Sequence, residues 1–181
     1  MAFVDVHTHL DHPMFKDDLG NVITNAKNAM VKAIISNGIN PASNRNVLEM
    51  AKRYDIVKPA LGIHPEDAHA AMKSCDDDEL VDMPFSPERF DIDKEVAFIK
   101  KNKAKIIAIG ECGLDMHWIK GHLDEQIEIF KKQIQLSFDV NKPLIVHTRN
   151  AESESLDVLE EMGAKRVLLH VRLGGGGGGG F

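Results

Sequence analysis

Short apolar runs and amphipathic stretches take turns along this chain. Residues 3–9, 33–35, 56–65, 105–109, 143–146 and 166–169 each contain a mostly apolar run of strand length. Between them, apolar residues recur at helical spacing. Val22, Ala26 and Ala29 predict a helix over 21–30, and Val47, Leu48 and Ala51 predict one over 43–54. Ile127, Phe130, Ile134 and Phe138 give residues 124–139 a core stripe against a charged opposite face. Further helices are predicted over 93–102 and 152–162, the latter stopped by Gly163 as a C-cap. Residues 10–18 read as a loop. Residues 70–93 break the rhythm, because Asp76, Asp77, Asp78 and Glu79 form an acidic run and Pro84 and Pro87 interrupt any helix. An exposed excursion is expected there.

Strands that are continuous apolar runs are buried on both faces, which implies a parallel sheet flanked by helices. A doubly wound sheet and a closed (β/α)8 TIM barrel both satisfy this. No Gly-x-Gly-x-x-Gly follows the first strand, which counts against the dinucleotide-binding form of the first. Histidine or glutamate ends most of the strands, and a barrel builds its site from such tips. The expectation is therefore α/β, a (β/α)8 barrel of which this sequence covers about six βα units.

With 43% hydrophobic and 28% charged residues in 181, the composition supports a real core. No apolar run approaches the ~20 residues of a membrane span. No basic and then apolar leader is seen before the first strand, so a cytoplasmic protein with no membrane partner is expected. Cys75 and Cys112 lack CxxC spacing and read as reduced thiols. A formal net charge of −6 argues against charge-driven nucleic-acid binding. It leaves room for an enzyme that meets phosphates through metal ions and a few local cations.

The candidate chemistry lies at the strand ends. His7 and His9 are two apart on a strand and share a face. His64, Glu111, His147 and His170 each follow or end an apolar run. Imidazoles suit zinc, carboxylate and water suit magnesium or manganese, and a carboxylate can bridge two cations. Two divalent metal ions and a hydrolytic reaction are the expectation. Taken singly, a strand-end histidine is more often a satisfied core or loop residue, whereas the pair His7 and His9 reads as ligands, and so does Glu111, since an unpaired carboxylate after Ile109-Gly110 would be costly. His64 is a candidate for substrate contact, and Arg149 for a phosphate or a loop salt bridge. Asp5 could support a ligand histidine or make an interior hydrogen bond. Trp118 could stack a base or cap the core. His12, His69, His117 and His122 are expected at the surface.

Four ordered motifs then carry a resemblance. Val4-Asp5-Val6-His7-Thr8-His9-Leu10, Gly62-Ile63-His64-Pro65, Ile109-Gly110-Glu111-Cys112-Gly113-Leu114-Asp115 and Pro143-Leu144-Ile145-Val146-His147-Thr148-Arg149 resemble the TatD family of metal-dependent deoxyribonucleases. The stretch from Gln126 to Gln133 is similar to a helix of that family. The family belongs to the amidohydrolase-like TIM barrels and hydrolyses phosphodiester bonds, many members as exonucleases. The resemblance implies His7, His9 and Glu111 on one metal, and Glu111, His147 and His170 on a second. Glu111 and His64 are then the catalytic candidates, His64 and Arg149 the substrate-binding ones, and DNA the substrate, with no obligate protein partner. Other amidohydrolases often use a carbamylated lysine as the bridging ligand; here that place reads Glu111.

The family's further aspartate after the last strand has no counterpart in this sequence, and residues 174–180 are all glycine. Residues 1–173 read as a barrel incomplete at its C-terminal side, since a typical barrel takes about 250 residues. Residues 174–181 read as unassigned or truncated chain. Two rivals accompany the nuclease: an amidohydrolase acting on a small amide, ester or lactone, and a truncated, catalytically inactive barrel.

Overall fold

The computed structural model describes residues 1–72 and 88–171. The acidic run, Cys75 and the glycine run lie outside the described residues. Six strands, β1 (Phe3–Thr8), β2 (Val31–Asn37), β3 (Val57–Leu61), β4 (Ala108–Asp115), β5 (Leu144–Arg149) and β6 (Val167–Val171), form one parallel sheet in the order of the sequence. Six α-helices lie among the described residues: α1 (Leu19–Asn28), α2 (Pro41–Arg53), α3 (Pro65–Ala71), α4 (Ile92–Lys101), α5 (Leu123–Val140) and α6 (Glu152–Glu161). A doubly wound sheet reverses its strand order at a switch point. This sheet never does, which is the wall of a (β/α)8 barrel.

Local chemistry sets the helix ends. Asn40 accepts the Ser43 N–H at 2.9 Å and Pro41 opens α2 with its φ already helical. Asp91 accepts the Lys94 N–H at 3.0 Å to start α4, whose first turn carries Asp93 and Glu95 and whose last carries Lys100 and Lys101. That polarity matches the helix dipole.

Three expectations change. Residues 10–18 contain a 3-10 turn, Pro13–Phe15. The stretch after His64 forms α3, with Pro65 in its first turn and His64 Nδ1 accepting the Glu66 N–H at 3.4 Å. His69 is therefore buried in a helix, not at the surface. Finally, β4 does not stop near Glu111 but runs to Asp115. Gly110 and Gly113 look like strand breaks in sequence, yet they serve close packing: a Cβ on Gly113 would sit 2.0 Å from the His147 carbonyl oxygen.

The main core lies between sheet and helices, around Val47, Leu61, Ile99, Ile109, Phe130, Ile134 and Val146. A smaller cluster, Ala60, Ala108 and Ile145 with Ile35 and Leu168 against it, joins β2 to β6. Ile145 and Leu168 share a face with His147 and His170 by strand alternation, so this layer lies directly beneath the histidines. Phe138, expected in the core, is exposed. It sits at the border of the buried face of α5, whose middle is taken by Gln126, Gln133 and Ser137.

Candidate metal centre

Glu111 is the hub of the site. Only 2% of it is exposed, and His7 Nε2 and His9 Nε2 lie 3.3 and 3.1 Å from its Oε2. On the other oxygen, Oε1, His147 Nδ1 lies at 3.0 Å and His64 Nε2 at 3.8 Å. Two ligand-like trios result, His7–His9–Glu111 and His64–Glu111–His147, each with its ligand atoms within 4.8 Å of one another.

Strand geometry explains the convergence. On β4, Glu111, Gly113 and Asp115 alternate onto one face. The register pairs Gly113 with His147 on β5, and His147 with His170 on β6. His147 therefore lies opposite the side-chain-free glycine, between two carboxylates. Its Nδ1 meets Glu111 Oε1 and its Nε2 meets Asp115 Oδ2, both at 3.0 Å. His9 is oriented from behind: its Nδ1 donates to the Asn37 carbonyl at 3.0 Å, which leaves Nε2 for Glu111.

Electrostatics follow from this arrangement. Burial alone would raise the Glu111 carboxyl, but His147, His64, His7 and His9 around it hold it well below the usual range. Burial opposes charge on His147 too, yet Asp115 and Glu111 push its pKa up to about 9. His64 goes the other way. Burial and the neighbouring His147 push it down to about 3, so it is a neutral imidazole. Glu111 is thus ionised inside the fold and ringed by nitrogen.

The donor set suits a divalent cation. His7 Nε2 is buried and makes no hydrogen bond, although it lies 3.3 Å from Glu111 Oε2. Such a nitrogen, aimed at a buried carboxylate, has a lone pair that only a cation or a proton would satisfy.

The expected residues are placed as follows. His7, His9, Glu111 and His147 come together, and His64 joins them as the third member beside Glu111 and His147. His170 stands next to the cluster, its ring stacked on His7 at 4.0 Å between centroids and 6.3 Å from the His147 ring. Asp5 accepts the backbone N–H of His7 at 3.2 Å. Arg149 ends β5, with its guanidinium 5.5 Å from the centre of the Trp118 ring. Cys112 is a buried free thiol. Asn37 and Asp115 were not singled out from sequence. For Asp115 the signal was there: Glu111, Gly113 and Asp115 keep the period of a strand.

Comparison with known proteins decides the lineage, because residues 4–175 match the family described as TatD related DNase. The chain belongs to that family. Among TatD relatives, YabD of Bacillus subtilis (strain 168), named an uncharacterized metal-dependent hydrolase, is 36% identical over 165 residues, covering 90% of this chain and 57% of YabD. Human deoxyribonuclease TATDN3 is 32% identical over 179 residues, covering 94% of this chain and 60% of its own. The crystal structure of YjjV, a TatD homologue from Escherichia coli K12, superposes with a TM-score of 0.70 at 25% identity, over 88% of this chain and 56% of that one. The chain thus spans a little over half the length of the TatD relatives it matches. No helix among the described residues is long and apolar enough to cross a membrane.

Proposed function

We propose that this chain carries the metal-binding part of a TatD-type hydrolase that cleaves phosphodiester bonds in DNA and releases nucleotides from a strand end. The observation that carries this reading is Glu111, a buried ionised carboxylate with imidazoles facing both of its oxygens. A carboxylate so placed can be shared between two cations. His7 and His9 would complete one set, and His147 with His64 or His170 the other. The ions are zinc, magnesium or manganese by donor type. When bound, such ions polarise a phosphoryl oxygen and lower the pKa of a water.

The protein's own groups do the rest. Asn37 fixes the His9 ring, and Asp115 fixes His147, so neither imidazole must reorganise to present its nitrogen. His64 is neutral, and because its Nδ1 accepts the Glu66 N–H, its Nε2–H beside Glu111 can donate to a substrate oxygen. Arg149 offers a fixed positive charge at the tip of β5 for a phosphate.

The test is nucleotide release from DNA with metal added, then with chelator, then in Glu111→Gln. Turnover should need the metal. The substitution should cost more than the roughly 10–100-fold typical of residues behind the ligands, with a matching loss of bound metal by elemental analysis. Undiminished activity in Glu111→Gln would overturn the assignment. Metal uptake without turnover on DNA would favour the inactive barrel, and hydrolysis confined to small esters or amides the amidohydrolase.

A further inference from the structure

Beside the cluster stands a flat apolar surface that the reaction just proposed does not use. Trp118 is 40% exposed, although it is the largest apolar side chain in the sequence. The neighbouring Ile119, 2% exposed, anchors this loop in the core, and the indole beside it keeps a large part of its surface open to solvent. Something holds it there. Asp115 Oδ1 accepts the backbone N–H groups of His117 at 2.8 Å and Trp118 at 2.9 Å, a turn closed by its own side chain. The Met116 N–H donates to the Arg149 carbonyl at 2.9 Å and ties the same turn to the end of β5.

Asp115 has a second oxygen, and that oxygen takes His147 Nε2 at 3.0 Å. One buried carboxylate therefore fixes both the loop that bears the indole and an imidazole of the candidate metal cluster. Arg149 lies over the indole, its guanidinium 5.5 Å from the ring centre, and its buried Nε makes no hydrogen bond. A rigid exposed indole, an adjacent cation and a hydrolytic cluster one residue away fit a ligand with a flat face and a negative backbone.

We infer that Trp118 is a stacking platform for an unpaired base next to the scissile phosphate, with Arg149 taking a phosphate of the same strand. This rests on the phosphodiesterase reading and adds to it the side chain that would hold the strand, Trp118, beside the cation Arg149. Stacking tolerates any base, since every base has a π face. It requires the base to be unpaired. In a chain of formal net charge −6, one stacked ring and one local cation also supply affinity that overall charge does not.

Trp118 is the only tryptophan of the sequence, so its fluorescence reports on this position alone. The experiment titrates the metal-loaded chain with a short single-stranded phosphorothioate DNA, slow to be cleaved, and with the same backbone lacking its bases. Binding is followed in parallel by anisotropy of a dye on the oligonucleotide. The DNA with bases should quench Trp118 and the abasic strand should not. Trp118→Phe should retain affinity, while Trp118→Ala, folded by circular dichroism, should bind about tenfold to a hundredfold more weakly. Binding with unchanged Trp118 fluorescence, or with unchanged affinity in Trp118→Ala, would overturn the platform and leave the nuclease standing. An ordinary DNA strand that is neither bound nor cleaved would remove both. A single-stranded RNA arm asks whether the sugar matters: equal quenching assigns the site to bases in general, and none restricts it to DNA.

Discussion

Asp67 carries a carboxyl group into the fold at α3, where the Asn40 amide donates to it at 2.9 Å. Burial, with the nearby charge of Asp11, raises its pKa to about 6 in spite of that hydrogen bond. The folded state therefore holds this proton more tightly than the unfolded chain, whose ordinary value is 3.8. The sign follows: ionised Asp67 costs stability above its folded pKa, and the cost disappears as pH falls from about 6 through about 4. Its upper size is on the order of 3 kcal/mol. Asp67→Asn keeps an acceptor for Asn40 and removes the charge. Urea unfolding should show it stabilised at pH 7.5, by clearly less at pH 5, and equal gains at both would refute the burial argument. Single residues differ in how far sequence reveals them. His7, His9, Glu111 and His147 stand out because titratable groups at the ends of apolar runs need partners. Asn37 does not, since an asparagine before a glycine looks like an ordinary turn residue, and Asp115 is marked only by its strand spacing from Glu111.

Helix α5 shows what hydrophobic pattern alone misses. Its apolar stripe located the helix, but the middle of its buried face belongs to two glutamines. Gln133 accepts the Ile63 N–H at 2.8 Å and donates to the Ile63 carbonyl at 2.9 Å. Gln126 accepts the Asp115 N–H at 2.9 Å and donates to the Asp115 carbonyl at 3.2 Å. They satisfy peptide groups at the tips of β3 and β4, one residue from His64 and at Asp115 itself. Polar residues inside are expected wherever strands outrun their ladder, but nothing in the sequence marks which ones. Gln133→Leu should strip both Ile63 groups of their partner and cost about 2–4 kcal/mol in urea unfolding. The same change at exposed Gln135 should stay within roughly half a kcal/mol. Similar values for the two would mean that the Ile63 clamp is dispensable. The boundaries of β4 and α3 were illegible for a related reason: Gly110, Gly113 and Pro65 are breakers in most contexts, and here they are required by packing or by a helix start.

At the scale of the molecule, alternation of apolar runs and helical stripes narrowed the fold to a doubly wound sheet or a barrel, and the histidines and glutamate at the strand tips pointed to the barrel wall. Among the described residues β1 and β6 are the edge strands, and Val4, Val6 and Leu169 on their outer faces are exposed. Bare apolar residues on an edge invite association. Sedimentation velocity should show concentration-dependent self-association of this chain that Val6→Lys reduces. Unaltered association in that variant would place the adhesive surface elsewhere.

The strictly sequential strand order also has a meaning in time. Each strand pairs with the one made just before it, so a chain emerging from the ribosome can add one βα unit after another to an edge already formed. His7 and His9 then come before their partners, and they wait for Glu111 to arrive three strands later, on β4, and for His147 to close over it on β5. The hub of the cluster follows those histidines by three strands, which keeps them from holding a cation tightly until four neighbouring strands exist to shield it.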